Sequence, residues 1–230
     1  MRRAEPALRA GDPEAMRPEK VTIQGPVGRL EAVLWEPEQG AAPRAVAVVA
    51  HPHPLHGGTM DNNVVHRTAR GLQEAGLAVV RFNFRGTGAS EGVHDGHGGE
   101  EGDVRAVIDW LTARFPGVEL WAAGFSFGAR TVAALAPKEP RIARVILVAL
   151  PVIAYDCTFA LDIRQPGALF MAGQDGFGTL AVLRAQMPAL LERFHAEEVP
   201  GVDHFFTGAL EELRARVRSY AQSKLDLARS

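Results

Sequence analysis

Five short runs of apolar residues, RAVAVVAHP, LAVVRFNFRG, VELWAAG, RVILVALP and GALFMAG, recur along the chain. A strand with one wet face alternates apolar and polar residues, so continuous runs of this length predict strands covered on both faces. Helical stretches stand between them. VVHRTARGLQEAG ends at Gly76, and EGDVRAVIDWLTARF carries Val104, Val107, Ile108 and Leu111 on one face. RTVAALA follows the third run, and LRAQMPALLERF and LEELRARVRSYAQSKL read as helices on either side of a last short strand, HAEEVPG. Near the start, VTIQG and RLEAVLWEP alternate and predict an antiparallel hairpin. Strands alternating with helices predict an α/β protein, a mostly parallel central sheet with helices on both faces. The 151–165 stretch is too short to hold a lid domain. Residues 1–18, rich in Pro, Glu, Arg and Ala, read as a flexible leader, and 19–230 as one domain.

Composition narrows the partners. In 230 residues, 25 Lys and Arg face 27 Asp and Glu, a net charge of −2. No basic stripe stands out, which argues against a nucleic-acid surface. VILVALPVIAY, the longest membrane candidate, is too short and is broken by Pro151. One cysteine, Cys157, rules out an intrachain disulfide, and a cytoplasmic location is expected.

The third strand runs into WAAGFSFGAR, which frames Ser126 with Gly124 and Gly128. G-x-S-x-G between a strand and a helix is the pattern of a nucleophile held on a sharp turn. A tight turn alone would use the same glycines, so partners decide. Serine needs a base and a group to orient that base. Asp175 follows the GALFMAG strand and His204 follows the last one, both at the level of Ser126. The order Ser, acid, His suits Ser126 as nucleophile, His204 as base and Asp175 as its orienter. Asp203 adjoins His204, where neighbouring side chains diverge. Asp156 is the fallback acid, ahead of Asp162.

HPHPLHGGTMDNNVVH, RFNFRGTGASEG, GFSFGA and GVDHFF together resemble a family of small, lidless α/β-hydrolase serine hydrolases, related to dienelactone hydrolases and carboxylesterases. The resemblance runs from about Val21 to the last helix. It implies an α/β-hydrolase fold, no cofactor, and Ser126, Asp175 and His204 as the catalytic residues. Dienelactone hydrolases proper use cysteine at the elbow, and this chain has serine there. The resemblance also points to the backbone N–H of His53 as one oxyanion donor, with the N–H of Phe127 as the other.

His51, His53 and His56 also invite a metal reading, but a loop kinked by Pro52 and Pro54 is a poor chelate, and no metal is expected. Leu55, Phe125, Phe205 and Arg85 are substrate-pocket candidates; Asn83 and Arg85 also suit bracing of the glycine-rich loop. Asp103 reads as a charge at a helix start. The expected function is hydrolysis of small, short-acyl carboxylic esters through an acyl-enzyme. A metal-dependent hydrolase built on the histidine loop and a non-catalytic binding protein remain as rivals. Thioesters, lactones and amides share the same machinery.

Overall fold

The structure is a computed structural model that describes residues 18–37, 41–96 and 98–227, so the expected leader lies outside the described residues except for Pro18. Eight strands form one sheet: β1 (Glu19–Gly25), β2 (Gly28–Trp35), β3 (Ala45–Ala50), β4 (Leu77–Phe82), β5 (Leu120–Phe125), β6 (Ile142–Val148), β7 (Gly167–Ala172) and β8 (Phe194–Val199). Their order across the sheet is β1-β2-β4-β3-β5-β6-β7-β8. The first hairpin is antiparallel and β2 pairs antiparallel with β4; all the remaining pairings are parallel.

The unbroken apolar runs have a direct cause. Along β3, Val46, Val48 and Ala50 enter the core on one face, while Ala45, Ala47 and Val49 enter the core on the other. Both sets need apolar side chains because helices cover both faces. Helices α1 (Asn63–Glu74) and α6 (Leu210–Leu227) lie on one side. On the other side lie α2 (Glu100–Arg114), α3 (Phe127–Leu135), α4 (Leu180–Gln186) and α5 (Pro188–Leu191). Asn62 starts α1 by accepting the N–H groups of Val64 and Val65 at 2.9 and 3.5 Å.

One expected helix is two. LRAQMPALLERF breaks at Met187, whose φ of −137° and ψ of 58° lie outside the helical region. Pro188 is the reason, since its ring disfavours helical backbone in the residue before it. The 151–165 stretch holds turns and one short 3₁₀ helix (Thr158–Asp162), with no lid. Cys157 is buried beside it, and burial pushes its thiol up to about 12.

Candidate active site

Ser126 turns the chain from β5 into α3 with φ 55° and ψ −118°, a region that side chains other than glycine rarely adopt. A Cβ on Gly124 would collide with the carbonyl of Gly128, and one on Gly128 with the carbonyl of Ala50 at the end of β3. The glycine frame exists because the elbow packs backbone against backbone. Ser126 itself anchors both sides. Its N–H donates to the Val148 carbonyl at 2.9 Å, and its carbonyl accepts the Arg130 N–H at 3.0 Å. Ala149 and Phe206 also have positive φ, at 48° and 53°. All three strained residues sit past carboxyl ends of strands, and such positions cost about 1–3 kcal/mol each.

His204 stands on the turn after β8. Its Nε2 is 2.9 Å from Ser126 Oγ, and its Nδ1 is 2.7 Å from Asp175 Oδ2. The second carboxylate oxygen of Asp175 accepts the Phe177 N–H at 2.7 Å. Asp175 and His204 are only 4% and 7% exposed. With Asp175 on Nδ1, the neutral ring carries its proton there and leaves Nε2 to accept from serine. The His204 ring is walled by Phe177 at 4.8 Å, Phe125 at 5.0 Å and Phe205 at 5.3 Å. Neighbouring Asp203 builds the turn that aims the ring. It accepts the N–H groups of Thr207 and Phe205 and the Thr207 hydroxyl, which hold its carboxyl below the usual range.

The fallback acids are elsewhere. Asp156 accepts the N–H and hydroxyl of Thr158 at 2.9 and 2.6 Å, bonds that lower its pKa, and it is solvent-exposed. Asp162 is exposed at the end of the 3₁₀ helix Thr158–Asp162.

The histidine loop closes on itself beside the elbow. His53 O accepts the N–H groups of His56 and Gly58, both at 3.1 Å, and His53 Nδ1 accepts the Leu55 N–H at 3.2 Å. Burial, followed by the facing charges of His94 and His56, lowers the His53 pKa. His51 has both ring nitrogens engaged. Nε2 accepts the Phe84 N–H at 3.0 Å, so the proton is on Nδ1, which donates to Pro52 O at 2.6 Å. Burial lowers its pKa to about 4, and a ring bonded at both nitrogens is no metal ligand. Among the described residues, no group of three or more His, Cys, Asp and Glu side chains is placed to hold a metal ion.

A cavity of about 280 Å³ opens over Ser126 and His204, walled by His53, Tyr155, Phe177 and Phe205 among others. Among the described residues, no Lys, Arg, Asp or Glu lines it. Of the four pocket candidates, only Phe205 is in its wall. Leu55 points to solvent, 72% exposed, and only its backbone N–H turns back to His53. Phe125 is buried beneath His204. Arg85 faces away from any substrate: its guanidinium bonds Asp103 at 2.7 to 3.1 Å, Asp95 and the Gly99 carbonyl. Asp103 is therefore the buried partner of Arg85 as well as a first-turn charge of α2. Asn83 bridges the glycine-rich loop to the rest, donating to Glu31 at 2.7 Å and accepting the Met60 N–H at 2.8 Å. Sequence reading missed Tyr155 and Phe177. The signal for Phe177 was present: it is the lone aromatic in the glycine-rich stretch after Asp175.

The family model of the alpha/beta hydrolase fold matches residues 55–178, which include Ser126 and Asp175 and stop short of His204. An alpha-beta serine hydrolase homologue from Coxiella burnetii superposes with a TM-score of 0.82 at 37% identity, over 88% of this chain and 96% of its own. A protein of Xanthomonas campestris, described as an a/b serine hydrolase without lid, superposes with a TM-score of 0.81 at 34% identity, over 90% and 94%. An uncharacterised protein of Rickettsia prowazekii is 31% identical over 214 residues, 87% of each chain.

Proposed function

The chain belongs to the alpha/beta hydrolase fold family, and from that premise we propose that it cleaves small, neutral carboxylic esters through an acyl-enzyme on Ser126. The observation that carries this reading is the unbroken chain of hydrogen bonds from Asp175 through His204 to Ser126 at the floor of an uncharged cavity. Ser126 Oγ attacks the ester carbonyl while His204 Nε2 takes its proton, and Asp175 stabilises the imidazolium that results. The tetrahedral oxyanion is held by the backbone N–H groups of Phe127, at the head of α3, and His53. The α3 dipole adds to that attraction. His204 then protonates the leaving alcohol, and in the second half it activates the water that releases the acid. No step requires a metal or a cofactor. A lining that carries no fixed charge among the described residues favours neutral acyl groups, because burying an unpaired carboxylate there would be costly.

Fluorophosphonate labelling with mass-spectrometric mapping tests the nucleophile, and a panel of acyl esters tests the reaction. Label is expected on Ser126 alone. Ser126→Ala should fold normally and lose on the order of a million-fold in kcat. Near-normal turnover in the folded variant would sink the mechanism.

A further inference from the structure

Behind the cavity lies a second acid–histidine contact that the mechanism above leaves idle. His94 precedes α2, and its Nδ1 is 2.6 Å from Oε1 of Glu100, the first residue of that helix. Glu100 is 1% exposed, and its other oxygen is buried with no hydrogen-bond partner among the described residues. A carboxylate in such a place is costly to keep charged unless a cation faces it. The Arg85 guanidinium is near but bonded to Asp103, Asp95 and the Gly99 carbonyl, which leaves His94 as the partner in contact. A helix-start acid does not need this arrangement, since solvent and free N–H groups would suffice for it.

The remainder of the His94 ring faces the catalytic corner. It meets the His53 ring at 4.8 Å and the Phe127 ring at 5.7 Å, and those two rings meet each other at 4.9 Å. His53 and Phe127 are the residues whose amides hold the oxyanion in the proposed mechanism. They lie on separate segments, one on the loop after β3 and one at the head of α3. We propose that Glu100 and His94 are a positioning pair for the oxyanion hole. The buried carboxylate fixes the His94 ring, and the ring sets the spacing between the two donor segments. The inference rests on the serine-hydrolase reading of the site.

Two measurements separate positioning from folding. The second-order rate of Ser126 phosphonylation by a fluorophosphonate needs no known substrate and also builds negative charge on oxygen at the reacting centre. Ester hydrolysis separates kcat from KM. His94→Phe keeps a ring but loses the bond, and Glu100→Gln removes the charge. Each is expected to slow labelling and kcat by about tenfold with KM unchanged. That is milder than the 100- to 1,000-fold or so that deletion of a donor costs. The double variant should lose no more than either single one, because the two residues act as a unit. His94→Asn, which keeps an N–H for Glu100 and removes the ring, takes the place of any variant that fails to fold and should show the same loss. Wild-type labelling and kcat in a folded His94→Phe or His94→Asn protein overturns the proposal, and so does a rise in KM at constant kcat. Labelling that persists in Ser126→Ala strikes the hydrolase reading itself, and the positioning pair falls with it.

Discussion

A carboxylate can orient a histidine only if it is itself held still, and Asp175 is held at both oxygens, by His204 and by the Phe177 N–H. Asp175→Asn keeps the shape and loses the preference for the proton on Nδ1, so the tautomer facing Ser126 is wrong. The expected loss in kcat is up to about 10,000-fold. Asp156→Asn should be nearly silent, since among the described residues Asp156 bonds only its own turn. Assays of the two purified variants side by side check the assignment; a crippled Asp156→Asn with an active Asp175→Asn would reverse it. The positions of Ser126, Asp175 and His204 were legible in the sequence because each follows a recognisable strand, and strand ends in a parallel sheet share one level. Side-chain direction was not legible. Arg85 reads the same whether its guanidinium meets a substrate or Asp103, and only the packed fold puts Asp103 within 3 Å of it. Leu55 and Phe125 failed as pocket residues for the same reason. Apolar character says that a side chain has a use for contact and not on which side of the backbone it finds one.

Elements were more legible than side chains, because their signal is averaged over many residues. The five buried strands follow from unbroken apolar runs, while the split at Met187 depends on one local rule about proline and was missed. Ties between elements were the least legible of all. His51, just past β3, accepts the Phe84 N–H just past β4 and so fastens the ends of two paired strands. This ring is neutral in the folded protein, with its pKa lowered to about 4, whereas in the unfolded chain it titrates near 6.5. The folded state therefore gains from His51 fully above pH 6.5. As the pH falls from there toward 4 the unfolded chain takes up a proton that the fold refuses, and about 3 kcal/mol is lost. In His51→Gln, whose amide oxygen can accept the same N–H, denaturant unfolding at pH 7 and pH 4.5 should show a smaller difference than wild type. An unchanged pH slope would remove His51 as the source.

At the scale of the whole molecule, Ser126, Asp175 and His204 stand at the carboxyl edge of one sheet, and nothing among the described residues folds over it. Phe177 and Phe205 are left 47% and 53% exposed at the cavity mouth, where a lid would otherwise cover such rings. The cavity, about 280 Å³, is at the small end for ligand sites. Acetyl to hexanoyl esters should accordingly show higher kcat/KM than dodecanoyl or longer ones. A panel of acyl esters with one common alcohol checks this, and a steady rise up to palmitoyl would reveal an apolar tunnel. The buried thiol has a separate practical consequence. Cys157 is the chain's single cysteine, and with its pKa pushed up to about 12 it is scarcely ionised at neutral pH, so alkylating dyes react with it poorly. A cysteine introduced in place of solvent-facing Leu55 would be the one readily alkylated sulfur in the chain. A fluorophore attached there would sit two residues from His53, outside the cavity wall, and report on occupancy of the mouth without any native cysteine having to be removed first.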